Sequence, residues 1–211
     1  STDAYAYAYA NYGIYQYASA EDGAASASLT NAAGGTVNIS ADAHAVASEG
    51  GATAYAYNYE YVLDQYAYAY GTDDAATVTL TNGGDLGIKA NAVATGASEA
   101  YAYAYNYYPL YQYAYAGDGS ASVTLTNGAD ATLDISTHAQ ASATDGEASA
   151  YAYDYYALYQ YAYAYGTDHD ASATITNDGS LTIDTNAIAT ATAGTQAYAY
   201  AYLDDGIYQY A

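Results

Sequence analysis

AYAYAYNYYPLYQYAYAG, residues 100–117, is a strict Tyr/Ala alternation broken by a short insert and then resumed. A period of 2 is the side-chain period of a β-strand. Versions of the stretch recur at 4–20, 54–71, 150–166 and 196–211. The chain is therefore a repeat array before it is anything else.

The Gln-Tyr pair measures the repeat. It falls at Gln16, Gln65, Gln112, Gln160 and Gln209, at intervals of 49, 47, 48 and 49. A second marker, an aliphatic residue followed by Thr-Asn, ends on Asn31, Asn82, Asn127 and Asn177. We divide the array into repeats at approximately 4–52, 53–99, 100–148 and 149–195, with a partial fifth at 196–211. Each repeat reads as two Tyr/Ala strands around an insert, an acidic Gly/Asp turn, a Ser/Thr/Ala strand, an Asn/Gly turn and a closing strand pair. In the second repeat the segment 61–65 carries one extra residue, which a β-bulge would absorb.

Parity separates two faces. Ala152, Leu158, Gln160, Ala162 and Ala164 share one, and Tyr151, Tyr153, Tyr159, Tyr161 and Tyr163 the other. In the last full repeat, Leu181, Ile183, Ala187, Ala189 and Ala191 are in phase. A core of Ala with Leu and Ile plugs puts Tyr and Thr outside. The competing assignment, Tyr inside, would bury far more apolar area. It would also bury many phenols, each needing a hydrogen-bond partner. We favour Tyr outside.

Short strands, tight turns and no helical pattern give an all-β chain. A repeat that cannot bury its own face needs neighbours. The expected fold is a β-solenoid, parallel and β-helix-like, with about two coils per repeat because 48 residues is long for one slim coil. Identical positions then stack into ladders. Asn31, Asn82, Asn127 and Asn177 are expected at the turns. Gln16, Gln65, Gln112, Gln160 and Gln209 are expected at repeat corners.

The composition excludes several functions. The 211 residues carry 23 acidic side chains against one Lys and no Arg, a formal net charge of −22. No cationic surface exists to meet nucleic-acid phosphates or an anionic membrane. There is no Cys, hence no disulfide and no thiol chemistry. No apolar run is long enough for a transmembrane helix. The chain opens and ends in mid-pattern, which reads as a piece of a longer array.

Catalytic motifs are missing too. No GxSxG occurs, the repetition leaves no irregular cleft, and we expect no enzyme and no cofactor. His44 and His138 fall at similar repeat positions. The acidic turns, with Asp118, Asp168, Asp170, Asp204 and Asp205, are candidate contacts for Ca2+ through oxygen ligands, although none matches a known calcium loop.

The segments ASATITNDGSLTI (171–183) and DTNAIATATA (184–193), with counterparts at 121–135 and 76–88, resemble repetitive bacterial surface proteins of the adhesin and filament type. The dense Tyr departs from their usual small residues. The resemblance implies an extracellular or cell-surface structural role with no catalytic residues. We accordingly expect a filament segment whose partner is itself, a homopolymer or more of the same chain. Lateral assembly would run through Tyr101, Tyr103, Tyr105, Tyr111, Tyr113, Tyr115, Tyr151, Tyr153, Tyr161 and Tyr163. An adhesin-type module for surfaces or glycans is the alternative, and an ice-binding protein a third.

Overall fold

The computed structural model describes residues 2–166, 169–193 and 196–211. Every described element is a strand. The first coil is β1 (Ala4–Ala10), β2 (Ile14–Ala20), β3 (Ala25–Asn31) and β4 (Thr36–Val46). The second is β5 (Gly51–Asn58), β6 (Leu63–Thr72), β7 (Ala76–Asn82) and β8 (Asp85–Gly96). The third is β9 (Glu99–Tyr107), β10 (Leu110–Asp118), β11 (Ala121–Asn127) and β12 (Thr132–Ala143). The fourth is β13 (Glu147–Tyr155), β14 (Leu158–Ala164), β15 (Ala171–Asn177) and β16 (Ser180–Ala191), and β17 (Ala197–Asp204) and β18 (Ile207–Tyr210) follow.

Each strand pairs, in parallel, with the strand four elements away. Four sheets result: β1-β5-β9-β13-β17, β2-β6-β10-β14-β18, β3-β7-β11-β15 and β4-β8-β12-β16. The fold is a parallel β-solenoid. The expectation of two coils per repeat is corrected: Ala4 pairs with Ala52, and Leu110 with Leu158, so one repeat makes one coil. The coil takes up its 48 residues by being broad, with four strands in its circumference. The expected closing strand pair is likewise one continuous strand, as in β16.

The coil is flattened into two layers. The first and second sheets form one layer, and the third and fourth sheets the other. The fourth sheet packs on the first, and the third on the second. Between the first and fourth sheets lies a cluster whose buried members are all alanine, among them Ala54, Ala92, Ala102, Ala141 and Ala150. Between the second and third lies a cluster of Ala with Val78 and Val123. Where the sheets of each layer meet, the middle of the cross-section widens and Leu and Ile fill it: Leu63, Leu80, Leu110, Leu125, Ile135 and Leu158. Leu29, Leu80, Leu125 and Ile175 stack along one line.

Alternation is thus read out as inside and outside. In β10, Leu110, Gln112, Ala114 and Ala116 are buried, while Tyr111, Tyr113 and Tyr115 lie half-buried on the outer surface. The extra residue of the second repeat sits in the loop between β5 and β6, not in a bulge. Pairing runs unbroken from Leu63 onward against Leu110. The register shift lies later, between Ala116 and Asp118 of β10. The next turn needs Gly119, whose φ is +153° and where a Cβ would collide with the Asp74 backbone.

The two cores respond oppositely to volume. Leu125→Ala should cost about 2–5 kcal/mol, because the central plug cannot collapse between fixed strands. Ala102→Leu should also destabilise, by at least about 1–3 kcal/mol, since the layers meet there on methyl groups alone. Urea denaturation followed by circular dichroism checks both. A neutral Ala102→Leu would mean that the alanine cluster has slack.

Candidate functional site: a tyrosine face over buried amide ladders

One whole layer presents tyrosine. On the first sheet the outward columns include Tyr55–Tyr103–Tyr151–Tyr200 and Tyr57–Tyr105–Tyr153–Tyr202. On the second they include Tyr66–Tyr113–Tyr161–Tyr210. Ring centroids in the latter are 6.0, 5.0 and 4.7 Å apart, and the last two pairs are stacked within 12°. Such distances are favourable for aromatic pairs. They follow the strand spacing of about 4.8 Å, so the backbone ladder sets the ring stack. On the first sheet the rings are tilted instead, as in Tyr57–Tyr105 at 6.1 Å and 53°.

Several phenols of this face are held neutral by their surroundings. Burial, and then the neighbouring phenols, push Tyr57, Tyr68 and Tyr159 up to about 12. Tyr105 and Tyr108 are raised further for the same reasons. These five phenols therefore keep their O–H donors at any physiological pH.

Of the ten tyrosines selected from the sequence, Tyr101, Tyr103, Tyr105, Tyr151 and Tyr153 lie on the first sheet. Tyr111, Tyr113, Tyr115, Tyr161 and Tyr163 lie on the second. Tyr101 pairs with Ser149 rather than a tyrosine. The two sheets join at a bend that the sequence did not reveal. Tyr12, Tyr108 and Tyr156 each adopt a positive φ there, 51°, 48° and 49°. A bulky side chain is rare in that conformation, and one residue costs about 1–2 kcal/mol. The Tyr108 and Tyr156 rings stack at 4.8 Å and 3°, a contact that offsets part of this cost. Gly or Asn would have signalled the turn; Tyr did not.

Beneath the tyrosines run buried amide ladders. Gln65 Nε2 donates to Gln16 Oε1 at 2.7 Å, Gln112 to Gln65 at 2.8 Å, Gln160 to Gln112 at 2.9 Å and Gln209 to Gln160 at 2.8 Å. The expected corner position is corrected: Gln112 lies within β10 with its side chain fully buried. Period 2 requires this, because Gln is in phase with Ala. Gln65 and Gln160 also donate across the layer, Gln65 Nε2 to the Thr79 carbonyl at 3.1 Å. Asn31, Asn82, Asn127 and Asn177 form a second ladder at the bend between the third and fourth sheets. Each Nδ2 donates to the next Oδ1 at 2.7–2.8 Å.

A third polar line was not foreseen. Asn58 Nδ2 donates to Asn106 Oδ1 at 2.7 Å, Asn106 Nδ2 to Thr137 Oγ1 at 2.6 Å, and Thr137 Oγ1 to Asp154 Oδ2 at 3.2 Å. Asp154 is fully buried and its Oδ1 has no partner. Burial raises its carboxyl to about 7, against the lowering effect of Thr137 and Asn106. A second buried carboxylate, Asp64, stands in a tyrosine column between Tyr15 and Tyr111. Asp64 is detectable from the sequence as the one residue before a Gln marker that is not Tyr, whereas the column of Asp154 reads Ala10, Asn58, Asn106, Asp154, Leu203 and gives no such signal.

The opposite layer carries hydroxyls and charges. The single Lys, Lys89, meets Asp134 at 2.6 Å. His138 meets Asp184 at 2.8 Å, an exposed pair worth little. His138 and His44 occupy different columns, since His138 pairs with Asn91 and His44 with Val93. Asp118 holds His169 at 2.7 Å. Asp170 is exposed, Asp204 and Asp205 lie at the β17–β18 corner, and Asp168 lies outside the described residues. Among the described residues no group of three or more His, Asp or Glu is placed to hold a metal ion. Among the described residues no helix is long and apolar enough to cross a membrane.

Fold and surface together define a tyrosine-faced parallel β-solenoid, a repeat protein. No protein-family model, curated protein or solved structure matches the chain.

Two outcomes test the buried polar lines. Gln112→Leu removes a link while leaving Gln65 Oε1 and Gln160 Nε2 in the core. Each stranded group should cost about 1–3 kcal/mol, read as a lower urea midpoint. For Asp154 the folded state binds its proton more tightly than the unfolded chain. Stability is then greatest below about pH 4 for this group and is lost as pH rises through about 7, by up to ~1.4 kcal/mol per pH unit between. Asp154→Asn, the amide that the two preceding coils carry, should flatten the decline in urea midpoint between pH 5 and pH 8. An unchanged slope would show that Asp154 is not its source.

Proposed function

We propose that the chain is a structural segment of an extracellular filament or surface fibre that self-assembles through stacked coils and lateral tyrosine faces. The observation that carries this reading is the outer tyrosine layer, repeated on every coil of the first and second sheets. Contiguous exposed aromatic surface on a soluble chain marks an interaction site. Tyr suits a surface that must tolerate water alone and desolvate favourably against a partner. A repetitive rod matches a repetitive partner, and a second copy of itself is the simplest one.

The charge fits the same role. At −22, free rods repel one another, and salt screens that repulsion over about 10 Å at 0.1 M. Cations at the acidic turns, including Ca2+ near Asp118, Asp170, Asp204 and Asp205, would bring rods together as counter-ions. The resemblance to bacterial adhesin and filament repeats belongs to this proposal, as does secretion.

The third sheet supports a second reading, binding of an extended surface such as ice. Its outer columns are Ser28–Thr79–Thr124–Thr174 and Thr30–Thr81–Thr126–Thr176, a flat and regular hydroxyl array. Thermal hysteresis would support it; ordinary ice growth at high protein concentration would remove it.

For the filament, replacing Tyr101, Tyr103, Tyr105, Tyr111, Tyr113 and Tyr115 by Ser should leave the Ala-lined coils formed by circular dichroism. Lateral association with added salt, followed by light scattering and electron microscopy, should weaken at least several-fold. Unchanged bundling would remove tyrosine as the assembly surface. Monodisperse particles of the parent protein under the same conditions would remove the filament.

A further inference from the structure

We propose that the first two coils hold a binding site for a small organic ammonium ion, a quaternary or tertiary amine head group, formed by a tyrosine cage around the buried carboxylate of Asp64. The site lies on the tyrosine layer, yet it depends on features that the rest of that layer lacks.

The first feature is the interruption itself. The column containing Asp64 reads Tyr15, Asp64, Tyr111, Tyr159, Tyr208. Removing one ring from a stacked column leaves a hollow of ring size. Here it is a pocket of about 230 Å3, lined by Asp64 and by Tyr12, Tyr15, Tyr17, Tyr61, Tyr66 and Tyr68. Drug-sized ligands occupy about 300–1,000 Å3, so this pocket suits one head group.

The second feature is the carboxylate. Asp64 is 1% exposed, and neither of its oxygens has a hydrogen-bond partner of good geometry. A charged group so placed is costly unless something pairs with it. Burial raises its carboxyl to about 7, and the Tyr66 side chain offsets only part of that rise. The group is unsatisfied as it stands, and a cation in the pocket would satisfy it.

The third feature is the wall. The loop with the extra residue places Glu60 and Tyr61, both at positive φ, beside the hollow. Tyr61 packs edge-on against Tyr111 at 4.8 Å. Tyr12 stands edge-on to Tyr15 at 5.9 Å and meets Glu60 Oε2 at 3.4 Å. The phenols of Tyr12, Tyr15, Tyr61 and Tyr66 are all raised, so the rings are neutral. Neutral aromatic faces at several angles around one anion make the environment that stabilises an alkylated ammonium through desolvated cation–π contacts.

The same features exclude other ligands. A hard metal ion wants six to eight oxygens, and Asp64 supplies two. An anion meets Asp64, Glu60 and the net charge of −22. Ammonium compounds carrying a phosphate or carboxylate should therefore bind more weakly than those without.

Isothermal titration of the folded chain in 150 mM NaCl tests the site with choline and tetramethylammonium as probes. The expected result is saturable binding at one site per chain. Asp64→Tyr, which restores the residue of the other coils, should reduce affinity at least tenfold with an unchanged circular dichroism spectrum. Asp64→Asn keeps the hollow and removes the charge, and should also lose at least tenfold. Tyr61→Ala opens the wall and should weaken binding several-fold, whereas Asp130→Asn, in the exposed turn between β11 and β12, should change nothing. Phosphocholine should bind at least tenfold more weakly than choline, which separates a free amine from a lipid-type head group. No saturable binding overturns the proposal, as does binding that Asp64→Tyr and Asp64→Asn both leave intact. Bundling of rods is not measured by this titration, so its failure and that of the filament reading are separate results.

Discussion

Everything in this protein rests on parallel pairing of each strand with its counterpart one repeat away. A parallel ladder in register places like on like. Ala stacks on Ala, Leu on Leu, Gln on Gln and Tyr on Tyr. Few folds tolerate a column of glutamines with three members, Gln65, Gln112 and Gln160, fully buried in a core. Here the column is stable because every amide from Gln65 onward donates to the amide of the preceding coil, and Gln65 and Gln160 also donate to a carbonyl of the facing layer. Pairing between coils thus converts a polar residue that would burden an ordinary core into an axial hydrogen-bond chain.

The same constraint explains the division of labour between the layers. With alanine as the only apolar filling between the first and fourth sheets, little apolar area is buried per residue. The central Leu and Ile plugs and the outer tyrosine stacks supply contacts that the alanines lack. The tyrosines contribute from outside, through rings held at strand spacing. An exterior that helps to hold the rod together is also an exterior ready to meet another rod.

Departures from repetition carry the individuality of the chain. Asp154 replaces an amide in the line that begins at Asn58 and makes that core position sensitive to pH. Asp64 replaces a tyrosine and opens the outer face. Both are carboxylates where the register demands something else, and both are raised by burial. In a strictly repetitive molecule, a residue that breaks its column is the one to ask about.

The sequence by itself determined the strand period, the repeat length, the all-β solenoid and the inward phase of Ala, Leu and Gln, because alternation and spacing are local properties of a chain. The Asn ladder was legible for the same reason. The number of coils per repeat was not. It depends on which strand pairs with which, and a 48-residue repeat is equally compatible with one broad coil or two slim ones. The inward Gln reads as a corner residue from the sequence because its satisfaction needs a partner in another coil, which no local pattern displays. The bend at Tyr108 and Tyr156 escaped notice because ring stacking between coils, rather than glycine, offsets its strained backbone. The Asp64 pocket was hidden for a related reason: a carboxylate is an ordinary surface residue until the coils above and below wall it in with tyrosine. Only the tertiary structure brings those rings together, since they lie about fifty residues apart along the chain and one strand spacing apart in space.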